Sequence, residues 1–226
     1  MHYILFCTMI ISLGGLIIST YMGTVLCRRI FKVLTSLLFI GTAMVSSKRN
    51  LDHKVYRYWI IGGLVLSTFG DVFLAFSGRN YFLLGVACFI VAHICYIIAF
   101  SCLRGINKED FLCFGILLIP LIMILLIGKF EFKGMLPLVM GYMFIIGFMV
   151  VKAISLKRYY EDSKVAVTLT IVGALLFLIS DGILLFKIFG VEGLRYGDFL
   201  NSLTYYVGQE LLAISLAWPI AIREER

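Results

Sequence analysis

The chain has 226 residues, of which 62% are hydrophobic and 15% charged, and its mean hydropathy is +1.03. Soluble domains carry roughly 45–50% apolar residues, so a water-soluble globule is excluded. The formal net charge is +7, but the lysines and arginines are scattered among short breaks between apolar runs and build no basic face; the charge reads as a topology signal and an attraction to anionic headgroups, with no nucleic-acid partner.

A membrane crossing takes about 20 mainly apolar residues. Apolar runs between charged breaks predict helices at 3–26, 31–47, 57–77, 81–102, 111–128, 134–154, 165–189 and 199–221. The expected architecture is all-α: one polytopic membrane domain over residues 1–226, a bundle of about eight transmembrane helices. The first run, Tyr3 to Leu26, lacks a basic leader and a small-residue cleavage site and is followed by Arg28, Arg29 and Lys32, the pattern of a retained helix rather than a signal peptide. Assigning loops to alternate sides puts 12 basic residues on the side of the termini and 8 on the other, which predicts both termini in the cytoplasm.

Lys32 opens the second predicted helix. A lysine there either snorkels to the headgroups or turns inward as counter-ion to a carboxylate. The third helix supplies the carboxylate: the stretch 62–76, GGLVLSTFGDVFLAF, places Asp71 inside an otherwise apolar run. The seventh repeats the plan at 172–186, VGALLFLISDGILLF, with Asp181 in the matching position and Ser180 beside it. An aspartate within a membrane helix is costly unless it faces protein or a water-filled cavity, so each marks a candidate site. Helices three and seven run in the same direction, which suggests a parallel four-plus-four pseudo-repeat and one shared site.

Gly85, Phe89, His93, Tyr96 and Phe100 share one face of the fourth helix. His93 beside Tyr96 is either a hydrogen-bonded packing residue or a member of the site. On the eighth helix Tyr205 and Gln209 stack one turn apart, whereas Glu210 points about 100° away and needs either a partner of its own or burial that keeps it neutral. The small residues near the acids suit close helix packing. Pro120 and Pro137 are read as punctuating helix ends. Of 6 cysteines, Cys7, Cys88, Cys95 and Cys102 fall in apolar runs and read as buried small hydrophobes. No zinc spacing, Gly-rich phosphate cradle, HExxH or Ser-His-Asp signature is present, so no metal and no cofactor is expected.

These residues resemble a known pattern. Lys32 with Thr35, Ser67-x-x-Gly70-Asp71-x-x-Leu74, the series Gly85, Phe89, His93 and Tyr96, then Gly173-Ala174-x-x-Phe177-x-x-Ser180-Asp181-x-x-Leu184 and Thr204-Tyr205-Tyr206-x-x-Gln209 are similar, in order and spacing, to the YhhN family of lysoplasmalogenase-like membrane proteins. Val33 departs from the pattern, which has proline after the lysine. The resemblance implies a multi-pass membrane hydrolase that cleaves the vinyl ether bond of a lysophospholipid, the lysoplasmalogen, to a fatty aldehyde and a glycerophospho-base.

Vinyl ethers hydrolyse by proton addition to carbon, giving an oxocarbenium ion that water captures, and this calls for one protonated carboxyl and one carboxylate, as in glycosidases. Asp71 and Asp181 are the expected acid/base pair, their assignment open. His93, Tyr96, Ser180, Tyr205 and Gln209 are expected to bind or orient substrate and water, and Lys32 to hold the phosphate or tune an acid. The rival reading is a proton-coupled transporter using the same two acids, a common role for membrane carboxylates. A third is a lipid-binding protein without catalysis.

Overall fold

The computed structural model describes residues 2–48, 53–158, 163–192 and 194–220. Of the basic residues counted for topology, Arg49, Arg223 and Arg226 lie outside them. Among the described residues the chain forms α1 (His2–Tyr21), α2 (Val25–Ser47), α3 (Lys54–Leu74), α4 (Arg79–Leu103), α5 (Lys108–Ile127), α6 (Leu136–Ser155), α7 (Lys164–Phe189) and α8 (Gly197–Ser215), with a 3-10 turn at Leu156–Arg158. Six of them, all but α3 and α8, are long and apolar enough to cross a membrane. The two exceptions carry Asp71 and, on α8, Asn201, Gln209 and Glu210, polar residues directed at protein rather than lipid.

Turn chemistry sets the helix ends. Gly23, at φ +68°, lets α1 reverse within three residues, so α2 begins at Val25 and not near 31. Arg28 and Arg29 therefore stand on a helix rather than in a loop. The Asp110 carboxylate accepts the backbone N–H of Asn107 at 2.9 Å and starts α5. Pro137 opens α6, but Pro120 lies inside α5, contrary to its reading as a helix end, and is tolerated there as prolines in membrane helices are.

The tightest packing joins α3 to α4 and α7 to α8, each aspartate helix to its successor. Glycines permit it. A Cβ at Gly63 would fall 2.3 Å from the Tyr96 ring, one at Gly70 2.7 Å from Phe89, and one at Gly173 2.8 Å from the carbonyl oxygen of Gly208. By contrast α5 packs mainly on α6, with Ile116, Leu126 and Ile127 facing outward. The α5–α6 and α7–α8 connections pair through a bridge between Phe130 and Gly190. His53 Nε2 lies 2.9 Å from the carbonyl oxygen of Ile220, so the described chain ends beside the start of α3.

The cysteines correct one expectation. Only Cys95 is buried; Cys88 is half-buried, and Cys7 and Cys102 are exposed on outward helix faces with Cys27 and Cys113. In a bilayer the outer face is as apolar as the core, so an apolar run does not distinguish them.

Candidate active site

A cavity of about 350 Å³ opens at the ends of α1, α3 and α7 and the starts of α2, α4 and α8, away from His53 and Ile220. Asp71 and Asp181 both line it. Asp71, 3% exposed, is gripped from two helices. Lys32 Nζ stands 3.4 Å from Oδ1, while Ser36 Oγ and Tyr205 OH each donate to Oδ2 at 2.8 Å. Lys32 and Ser36 are one turn apart on α2, so they reach the same carboxylate.

Asp181 is served from the other flank. Tyr142 of α6 donates its hydroxyl to Oδ2 at 2.6 Å, and His93 Nε2 lies 3.8 Å from the same oxygen. The opposite ring nitrogen, Nδ1, is 2.5 Å from the Phe89 carbonyl, which holds the imidazole edge-on to Phe177 with ring centroids 4.6 Å apart. Phe89, Phe177 and Tyr205 meet edge to face between the two acids, at centroid distances of 5.3–6.2 Å.

The cavity has two characters. Arg28, Arg29, Lys32 and Lys187 also line it; Lys32 is paired with Asp71 and Lys187 with Asp198 at 2.6 Å, which leaves Arg28 and Arg29 as the cations suited to a phosphate. Arg29 also donates to the Ala75 carbonyl at 3.0 Å and lies 4.8 Å above the Phe76 ring, fastening α2 to the end of α3. Beside Asp181 and Leu184 a second, apolar pocket of about 80 Å³ continues between α4, α6 and α7, walled by Val86, Leu138, Val139, Leu185 and Phe189. Asp181 thus stands at the junction of a cationic chamber and an apolar one.

The residues expected at the site do not all share it. Lys32, Asp71, Ser180, Asp181 and Tyr205 line the cavity, and His93 touches it through Asp181. The Ser180 side chain is engaged with Asn201, whose amide donates to its Oγ and its carbonyl, both at 2.9 Å. Tyr96 and Gln209, expected to orient substrate, bond to each other at 2.9 Å and are wholly buried below the cavity, because Tyr96 lies flat over Gly63. Ser36, Tyr142 and Asn201 escaped the sequence reading, and Tyr206, read only as part of the motif at 204–209, lines the cavity. Ser36, one turn beyond Lys32, carried a signal; Tyr142, alone on α6, carried none.

No group of three or more His, Cys, Asp or Glu residues suited to a metal ion occurs among the described residues. The helices run unbroken through Asp71 and Asp181. A family model, that of the YhhN family, matches residues 27–216 and so takes in both aspartates, Lys32, His93 and Tyr205. The chain belongs to the YhhN family. No curated protein and no solved structure matches it significantly. The match starts within α2, so of the eight helices of this YhhN protein only α1 falls wholly outside it.

Proposed function

We propose that the protein is a lysoplasmalogenase-like hydrolase of the membrane, cleaving the vinyl ether of a lysophospholipid to a fatty aldehyde and a glycerophospho-base. One observation carries the reading: two aspartates from separate helices line one cavity that is cationic at its mouth and apolar on its flank. A lysolipid has the matching division, with an anionic phosphate at one end, a hydrocarbon chain at the other and the scissile bond between them. YhhN membership supports it independently.

The surroundings of the two acids favour different tasks. Asp71, with an ammonium and two hydroxyl donors, suits the carboxylate that deprotonates water and steadies the cation. Asp181 receives the Tyr142 hydroxyl on Oδ2 beside the apolar pocket, which leaves Oδ1 to carry the proton. Asp181 protonates the outer carbon of the double bond. Water, losing its proton to Asp71, adds to the oxocarbenium carbon. The hemiacetal collapses to aldehyde and glycerol hydroxyl, and a proton passed from Asp71 to Asp181 through cavity water restores the start. One water is consumed and no proton, so no cofactor is required.

The test is aldehyde release from lysoplasmenylethanolamine by detergent-purified protein. Turnover in the wild type that falls at least about a hundredfold in Asp71→Asn and in Asp181→Asn supports the reading. Intact lipid together with proton-driven uptake in liposomes would instead establish the carrier. On this reading both termini are cytoplasmic and the cavity faces the opposite surface.

A further inference from the structure

Glu210 takes no part in the chemistry above. It lies on α8 and is 0% exposed, and neither carboxylate oxygen has a hydrogen-bond partner among the described residues. The buried and half-buried cations are committed elsewhere: Lys32 pairs with Asp71, Lys152 and Arg104 with Asp110, and Arg57 donates to the Ser47 carbonyl.

Two hydroxyls across the interface are in the same condition. Tyr206, one turn before Glu210, packs against Phe39 of α2 with ring centroids 6.4 Å apart, so this face of α8 meets the face of α2 that bears Phe39, Thr42, Ala43 and Ser46. The Thr42 side chain adjoins Glu210. Thr42 and Ser46 are both 0% exposed, and neither hydroxyl has a hydrogen-bond partner among the described residues. The buried helical hydroxyls of Thr35, Thr68 and Thr170 donate to the carbonyl four residues back, whereas Ser67, like Thr42 and Ser46, does not. Thr42 and Ser46 forgo that bond and keep their oxygens available.

A carboxylate held away from water needs a countercharge. Two carboxylate oxygens and two hydroxyl oxygens form a hard donor set, and a single negative charge balances a single positive one. We propose that Glu210, Thr42 and Ser46 form a buried site for a monovalent cation of sodium's size, tying α2 to α8. Those two helices also bring Ser36 and Tyr205 to Asp71, so the bound ion braces the frame around that carboxylate.

The test uses full-length protein in detergent, with thermal unfolding followed as sodium chloride replaces choline chloride at constant ionic strength. The expected result is a saturable rise in melting temperature with sodium, smaller with potassium, retained in Asp71→Asn and Asp181→Asn and lost in Glu210→Gln. Thr42→Val, which removes one ligand, raises the sodium concentration at half-effect about tenfold, and it serves alone should Glu210→Gln not fold. Identical melting in sodium, potassium and choline salts would overturn the proposal and mark Glu210 as a neutral acid. A sodium effect undiminished in Glu210→Gln and Thr42→Val would overturn it equally, by placing the ion elsewhere.

Discussion

The backbones of α7 and α8 approach closely where Gly173 and Gly208 face each other, and replacing Gly173 with alanine measures that contact. The new Cβ would lie 2.8 Å from the Gly208 carbonyl oxygen, with Leu212 at 3.0 Å behind it. The obstacle is backbone and cannot rotate away, so the helices must part by about 0.6 Å to reach ordinary contact. Overpacking of this kind costs about 1–3 kcal/mol, against a gain of up to about 1 kcal/mol when alanine replaces a helical glycine. Gly182, next to Asp181 on the same helix, is the control: a Cβ there meets nothing within 4 Å. Gly182→Ala should therefore melt at or above the wild type and Gly173→Ala below it, the two variants differing by the overpacking cost, about 1–3 kcal/mol, because the propensity gain is common to both. Thermal unfolding of both proteins in the same detergent reads the difference. Equal melting temperatures would refute the argument that this contact sets the spacing of the two helices.

Tyr142→Phe deletes the hydroxyl donated to Asp181 without changing its ring, and should lower kcat of aldehyde release about 10- to 100-fold with the melting temperature little changed. Lys152→Met removes one of the two cations paired with Asp110, at 3.0 Å, and leaves Arg104 at 3.3 Å, so it should destabilise the fold by about 1.5–3 kcal/mol in thermal unfolding. Leu185→Trp fills the apolar pocket beside Asp181 and should raise KM for long-chain substrates more than for short-chain ones in a chain-length series.

Much of the bundle was legible because a membrane helix must satisfy its own backbone and so announces itself as an apolar run. The aspartate stretches of α3 and α7 stood out for the same reason, as charges where hydrocarbon was expected. What failed was anything decided by three-dimensional neighbours. A reading that ends helices at charges pushed Arg28 and Arg29 into a loop, although Gly23 makes the turn earlier and leaves both on α2 at the cavity. Lys152 and Asp110 look like interfacial charges, yet they pair across 42 residues of sequence in the interior. Tyr96 and Gln209 share the spacing of the residues that line the cavity, and only the contact of Tyr96 with Gly63 places them beneath it. Ser36 and Tyr142 became visible only once α2 met α3 and α6 met α7.

For the hydrolase proposed above, the junction at Asp181 would also govern the fate of the two products. The fatty aldehyde dissolves in hydrocarbon and the glycerophospho-base in water, and each fragment is born facing the phase that dissolves it. Departure along diverging routes would keep the halves of that reaction from meeting again, so geometry alone would oppose the back reaction.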